Sequence, residues 1–118
     1  DLIPQDAYDR ARMLEWLFWE QYSHEPYVAV ARFQVKYLGR PVESLEPKLI
    51  ERGHAALARL EQALDAAPFL VGSRLTLADI ALVAYTRWSH EGGLSLADYP
   101  AVRAWIGRVE AGLPIIDE

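Results

Sequence analysis

The sequence predicts an all-α domain, and three observations support this fold class. Four segments carry apolar residues at helical spacing, turn-forming residues separate those segments, and no segment alternates like a strand beside a hairpin turn. The chain has 118 residues, of which 52% are hydrophobic and 25% are charged. That length and composition fit a single globular domain with one modest core. We therefore predict a helical bundle with a long first helix.

The four predicted helices differ mainly in length. They run from about Asp6 to Tyr37, from Pro47 to about Ala66, from after Thr76 to near Ser89, and from about Pro100 to a stop at Gly112 and Pro114. Proline in a first turn and glycine or proline at an end are typical helix boundaries. The last helix presents one apolar stripe, formed by Val102, Trp105, Ile106, Val109 and Leu113.

The composition argues against several function classes. The net charge of −5 is unfavourable for a nucleic-acid partner, since phosphate binding needs clustered lysine and arginine. The sequence has no cysteine, so a thiolate nucleophile or a cysteine-ligated zinc is impossible. We find neither a signal peptide nor an apolar run long enough for a membrane span, and we expect no membrane partner and a cytosolic location. Because the chain starts at Asp1 without a methionine, we expect it to be part of a longer protein.

One carboxylate, Asp79, stands in an otherwise apolar stretch. "TLAD" has the form of a capping box, in which Thr76 accepts from the start of the helix and Asp79 accepts from the Thr76 N–H. Leu75 and Ile80 are placed to form the hydrophobic staple that often accompanies such a box. A catalytic role would need a second titratable group nearby, and the neighbouring residues are apolar. The sequence therefore favours a structural role for Asp79.

Three motifs in the second half of the chain resemble the C-terminal domain of glutathione S-transferases. They are "FLVG" at Phe69–Gly72, "TLAD" at Thr76–Asp79, and "YPAVRAW" at Tyr99–Trp105. The resemblance is strong over Leu49–Leu113, and "ARMLEWLFWEQYSHEP" is similar to the first helix of bacterial members. It implies a single C-terminal domain, residues 1–118, whose thioredoxin-like N-terminal domain is absent from this chain.

The resemblance also implies which functions belong to the missing domain and which to this one. The missing domain would bind glutathione as co-substrate and supply the group that activates its thiol, so we assign no catalytic residue and no metal to this chain. The helical domain would form the wall of a pocket for a small hydrophobic electrophile and part of a homodimer interface. The parent enzyme would conjugate glutathione to electrophiles or act in glutathione-dependent reduction.

The first helix is apolar on every face between Met13 and Trp19, where only Glu15 is polar. A helix of this kind is normally buried on all sides. The pattern alone leaves two explanations open: a wide core face, with indole N–H groups reaching solvent, or a surface that docks another domain or subunit. The family resemblance favours docking.

Pro26 interrupts the same helix, because its ring clashes with the carbonyl of Tyr22 and it donates no hydrogen bond. We expect a kink or a break there. Around it lies "YSHEPY", the densest cluster of polar side chains in the sequence. We predict that four of its residues line the substrate pocket, namely Tyr22, Ser23, His24 and Tyr27. The alternative is that they are solvated residues beside a bend.

The other polar residues carry weaker signals. His24 and Glu25 are adjacent and point about 100° apart on a helix, so they form no metal site. His54 and His90 are isolated in sequence, and we expect structural or solvated roles for both. Ser73 lacks the flanking glycines of a nucleophile elbow. Several arginines could contact an anionic ligand, and the sequence does not choose among them: Arg32, Arg40, Arg52 and Arg74.

Two rival functions remain beside the transferase hypothesis. The same helical fold resembles that of non-catalytic modules that assemble protein complexes. A free-standing helical domain that binds a small apolar ligand in its own pocket is a third hypothesis. Glutathione binding by the parent protein would favour the transferase hypothesis over the non-catalytic module.

Overall fold

The computed structural model describes residues 2–112, and these residues fold into a helical bundle without strands. The all-α fold class predicted from the sequence is confirmed. Five α-helices follow one another: α1 (Ala7–Trp19), α2 (Glu25–Arg32), α3 (Pro47–Ala66), α4 (Leu77–Thr86) and α5 (Pro100–Gly112). Two parts of the prediction for the last helix, the stripe residue Leu113 and the stop at Pro114, lie outside the described residues.

The first long helix stays helical across Pro26. A π-helical segment, Glu20–His24, joins α1 to α2, and a second one, Phe33–Tyr37, continues α2. In the first segment the N–H of Glu25 bonds to the carbonyl of Glu20, five residues back. Such a turn is wider than an α-helical turn, and insertions of this kind recur at functional sites. The chain therefore accommodates Pro26 through a π-helical turn and does not break, so the predicted helix Asp6–Tyr37 is one continuous helical rod.

Two apolar clusters form the core. The larger one packs α1 and α5 around α4 and includes Met13, Trp16, Leu60, Leu82, Val102 and Trp105. The smaller one joins α2, α3 and the segment before α5, and it includes Val28, Ala31, Leu57 and Leu94. Helix α3 contributes to both clusters, because its buried residues recur along one face over twenty residues. The core thus fixes the first long helix against α3, where a surface groove forms.

The third predicted helix ends earlier than expected. Helix α4 stops at Thr86, and a 3₁₀ turn follows at Ser89–Gly92. Gly93 has φ of +85°, a conformation that glycine adopts without strain. Gly92 lies so close to α2 that an added Cβ would sit 2.5 Å from the backbone nitrogen of Arg32. This close approach needs glycine, and it packs the 3₁₀ turn onto α2.

The first long helix exposes an apolar stripe. Met13 and Trp16 are buried, whereas Leu14, Phe18 and Tyr22 are 44%, 65% and 80% exposed. These last three residues recur every four positions, so they lie on one face of the rod; we call them the outer stripe. The indole N–H of Trp16 donates to the carbonyl of Leu70 at 3.1 Å inside the core and does not reach solvent.

None of the helices in the described part of the chain combines the length and the apolar character needed to cross a bilayer.

Candidate functional site

A groove of about 300 Å³ lies between the first long helix and α3. From the first long helix it receives Trp19, Ser23 and Tyr27, which recur every four residues and so share one face. From α3 it receives two arginines and two alanines: Arg52, Arg59, Ala55 and Ala56. The groove therefore combines two aromatic rings, two hydroxyls and two guanidinium groups with a small apolar surface.

The two arginines of the groove lie against aromatic rings. Arg52 donates from Nη1 to the hydroxyl of Tyr27 at 3.0 Å, and its guanidinium lies 5.7 Å from the centre of that ring. The bond to Tyr27 raises the pKa of Arg52 above its ordinary value. Arg59 lies 4.6 Å from the ring centre of Trp16. Cation–π contacts of this kind hold an exposed guanidinium in place, and those of its N–H groups that are not already bonded can bind a ligand.

The four residues predicted to line the pocket lie in three different places. Ser23 and Tyr27 line the groove. Tyr22 belongs to the outer stripe and is 80% exposed. His24 is fully buried, so its side chain has no access to a surface groove. Adjacent residues on a helix point about 100° apart, which separates Tyr22 and His24 from the row that the groove uses.

His24 connects the first long helix to α4. The hydroxyl of Thr86 donates to the carbonyl of Leu82 at 2.6 Å, so its oxygen accepts from Nε2 of His24 at 2.7 Å, and we assign a proton to that nitrogen. Nδ1 of His24 lies 3.6 Å from Oε2 of Glu20. Among the described residues neither of these two atoms has a hydrogen-bond partner. His24 therefore positions the π-helical segment from inside the core.

Asp79 is a buried acceptor for three different parts of the chain. Together with Thr76 it forms the capping box of α4, with its Oδ2 accepting from the Thr76 N–H at 2.9 Å. Its Oδ1 accepts from the N–H of Leu70 at 3.0 Å and from the indole N–H of Trp105 at 2.8 Å. The carboxylate is fully buried. These bonds join the "FLVG" turn, the start of α4 and helix α5, which gives Asp79 a structural role.

The two staple residues beside the capping box are both half-buried. Leu75 packs against the larger core cluster. A direct contact between Leu75 and Ile80 stays a prediction.

A second groove, of about 310 Å³, was not predicted from the sequence. It lies on the opposite side of α2, where Val30, Phe33 and Tyr37 are exposed beside Glu25 and Tyr85. Its rim carries a group of three charges, because Arg32 donates to Glu91 at 2.7 Å and Lys36 donates to the same carboxylate at 3.2 Å. The bond from Arg32, with a smaller contribution from Lys36, lowers the pKa of Glu91 below its ordinary value. The apolar spacing of these residues was visible in the sequence, but nothing local shows that they stay exposed.

The remaining candidates either bond to other parts of the fold or are exposed away from the groove. Nδ1 of His54 lies 2.9 Å from the hydroxyl of Tyr99, and burial raises the pKa of Tyr99. Arg40 bonds to Gln34 and to the carbonyl of Ser44. Ser73 and Arg74 are exposed at a third groove near the start of the chain. Within residues 2–112, no three His, Cys, Asp or Glu side chains are grouped closely enough to hold a metal ion.

Comparison with known proteins establishes the family. The family model described as "Glutathione S-transferase, C-terminal domain" matches residues 15–112. The chain belongs to this family. The chain is 47% identical in sequence to a glutathione S-transferase from Pseudomonas fluorescens, and its fold superimposes on the crystal structure of that protein with a TM-score of 0.89. The match covers 93% of this chain and 56% of that one.

Two curated relatives of this glutathione S-transferase domain are more distant. The disulfide-bond oxidoreductase YfcG of Escherichia coli is 28% identical over 114 residues, covering 92% of this chain and 51% of YfcG. The glutathione S-transferase-like protein gedE of Aspergillus terreus is 26% identical over 130 aligned residues, covering 96% and 56%. The chain thus spans about half the length of the relatives that it matches.

Proposed function

We propose that this domain forms one wall of the electrophile pocket of a glutathione-dependent enzyme. The observation that supports this proposal is the groove at Ser23 and Tyr27, which two hydroxyl groups and the ring of Trp19 line together with Ala55 and Ala56. An apolar surface with a few fixed polar groups is what a small-molecule pocket needs. The π-helical segment beside it supports the same assignment, since such segments recur at functional sites.

The thiol chemistry belongs to another part of the parent protein in this proposal. A thioredoxin-like N-terminal domain would bind glutathione and supply the residue that activates its thiol. Asp79 and His24 are both buried and bonded within the core, so neither is placed to activate a thiol at a surface groove. The parent would act in the cytosol and either conjugate glutathione to an electrophile or reduce a disulfide, and the relative YfcG is named a disulfide-bond oxidoreductase.

The outer stripe is the surface that we assign to docking. Leu14, Phe18 and Tyr22 expose three large side chains on one face of the rod. Contiguous exposed apolar side chains of this size are typical of an interface. We propose that the stripe packs against the thioredoxin-like domain or against a second subunit in a homodimer. This arrangement would cover the side of α1 that the other helices leave open.

The outer stripe also keeps the second candidate function open. A non-catalytic module that assembles protein complexes would use the same three exposed side chains to bind a protein partner. Such a module would have no need for the arginine-lined groove and would not bind glutathione.

Isothermal titration calorimetry with glutathione tests this proposal, run in parallel on the 118-residue chain and on the whole protein that contains it. We expect binding by the whole protein and none by the chain. Absence of binding by both would refute the transferase function and favour the interaction module. Tight binding by the chain alone would contradict the assignment of the thiol site to another domain.

A further inference from the structure

The groove between the first long helix and α3 is rich in hydrogen-bond donors. Among the side chains that line it, Trp19, Arg52 and Arg59 can only donate, while Ser23 and Tyr27 carry hydroxyls that can donate or accept. No carboxylate or amide side chain lines the groove. A ligand group that only accepts hydrogen bonds therefore matches this lining better than a neutral group with its own donors.

The charge of the groove points in the same direction. Within the described chain, Arg32 and Arg87 are each paired with a glutamate, at 2.7 and 3.2 Å. Arg52 and Arg59 have no carboxylate within 4 Å in that part of the chain, although Glu51 acts on Arg52 from further away. Two guanidinium groups without a carboxylate partner therefore line the same groove. They form a local positive site on a chain whose net charge is −5.

The spacing of the two arginines suits one ligand. Arg52 and Arg59 are seven residues apart on α3, which is about two helical turns and about 10 Å along the axis. Between them, the exposed Ala55 has a side chain small enough to leave room above the helix surface, and the buried Ala56 also lines the groove. An aromatic ring lying on this small apolar patch reaches the rings of Trp19 and Tyr27 on the facing helix.

We propose that the groove binds a planar aromatic carboxylate. The ring lies over the alanines between Trp19 and Tyr27, and the carboxylate accepts hydrogen bonds from the guanidinium of Arg52 and from the hydroxyl of Ser23. Arg59 closes the other end and adds positive charge. Charge-assisted bonds to arginine are stronger than bonds between neutral groups, so the carboxylate determines the preference. This inference rests on the function proposed above and specifies the substrate class of the same pocket.

The test compares two probes of nearly the same shape, 4-nitrobenzoate and its neutral amide, 4-nitrobenzamide. Calorimetry on the whole protein measures the affinity for each probe, and the same samples are titrated with glutathione. At an ionic strength of about 0.01 M we expect the carboxylate to bind about 10-fold more tightly than the amide. The preference should fall severalfold at about 0.5 M salt, since both arginines are exposed and salt screens their charge.

Substitutions of the two arginines test whether they cause the preference for the carboxylate. Arg52→Gln and Arg59→Gln should each weaken binding of the carboxylate about 3- to 10-fold and weaken binding of the amide less, because only the carboxylate loses a charge-assisted bond. Arg74→Gln is the matched control, because Arg74 is an exposed arginine that lines a different groove. Circular dichroism verifies that each variant is folded, and Arg52→Gln stands as independent evidence if loss of the Arg59 contact with Trp16 disturbs folding.

The outcomes separate this inference from the function on which it rests. Equal affinity for the two probes, unaffected by the Arg52 and Arg59 variants, would overturn the preference for an anion and leave the pocket in place. Failure of both probes in a protein that binds glutathione would overturn the assignment of this groove as a pocket. Failure of both probes together with glutathione would refute the transferase function itself.

Discussion

Replacing Asp79 by alanine should destabilise the fold more than the loss of a helix cap alone. The carboxylate is fully buried and accepts from three donors at 2.8 to 3.0 Å. One donor is the N–H of Thr76, within the capping box, and the other two, on Leu70 and Trp105, belong to different parts of the fold. Alanine leaves all three without an acceptor.

The structure gives the expected size of the effect. Loss of an N-terminal cap typically costs about 1 kcal/mol. Each buried donor that loses its acceptor costs about 1–3 kcal/mol, so three donors would cost at least about 3 kcal/mol. Removing the carboxylate also removes the cost of burying its charge, which keeps the total below the simple sum. We expect Asp79→Ala to lower the free energy of unfolding by about 3–5 kcal/mol, a large share of the stability of a small domain.

Urea unfolding followed by circular dichroism measures this change. With a slope of about 1–2 kcal/mol per M for a domain of this size, the midpoint should fall by about 1.5 M or more. Asp79→Asn should lie between wild type and Asp79→Ala, since its amide keeps one acceptor oxygen but turns a donor toward an N–H group. Asp65→Ala, at an exposed aspartate of α3, is the control and should change the stability by less than about 0.5 kcal/mol. A loss of about 1 kcal/mol or less in Asp79→Ala would refute the argument that the bonds to Leu70 and Trp105 matter.

Three further predictions concern other helix contacts. Glu61→Ala removes the acceptor of the Ala101 and Val102 N–H groups, which both bond to it at 3.0 Å. Urea unfolding should show that the free energy of unfolding falls by about 1–2 kcal/mol. Gln62→Ala, at a neighbouring residue, is the control and should have no effect. Gly92→Ala places a Cβ 2.5 Å from the backbone nitrogen of Arg32 and should lower the free energy of unfolding by about 1–3 kcal/mol or more. Gly107→Ala has open space around its Cβ and should be neutral or stabilising. Equal effects of the two substitutions would contradict the close packing on α2. Because Arg32 lowers the pKa of Glu91 below its ordinary value of 4.5, the pair adds stability above that pH and loses it as the pH falls through the folded pKa. Thermal melts of wild type and Glu91→Gln should therefore differ at pH 6 and converge toward pH 3, and a constant difference would contradict the assignment.

The sequence predicts features of this fold whose causes lie within a few residues. Thr76 and Asp79 are three positions apart, so the pattern "TLAD" contains both partners of the capping bond. The bonds from Leu70 and Trp105 to the same carboxylate span 9 and 26 positions, and no local pattern specifies them. The local interpretation therefore gives Asp79 its structural role but underestimates how many elements depend on it.

The effect of Pro26 shows the same limit. The missing N–H and the clash with the preceding turn are local, and they predict a distortion. Whether the helix kinks, breaks or widens depends on what the distorted turn contacts. Here His24 bonds to Thr86, 62 positions away, and this buried contact accompanies the π-helical segment.

The candidate groove was partly predictable for a similar reason. Ser23 and Tyr27 are part of a polar cluster that the sequence singles out, while Tyr22 and His24 belong to the same cluster and face elsewhere. A cluster in sequence covers every face of a helix, whereas a groove uses one face. Arg52 and Arg59 complete the groove from α3, and the sequence alone gave no reason to choose them from the other arginines.

The central claim is that this domain forms the wall for the electrophile and leaves glutathione binding to another domain. The most direct measurement is steady-state kinetics of the whole protein carrying Tyr27→Phe or Ser23→Ala, with the KM for glutathione and for 1-chloro-2,4-dinitrobenzene determined separately. We predict that the KM for the electrophile rises about 3- to 10-fold, corresponding to about 0.7–1.4 kcal/mol for one lost hydrogen bond, while the KM for glutathione stays within about 2-fold. A change confined to the KM for glutathione would contradict the account.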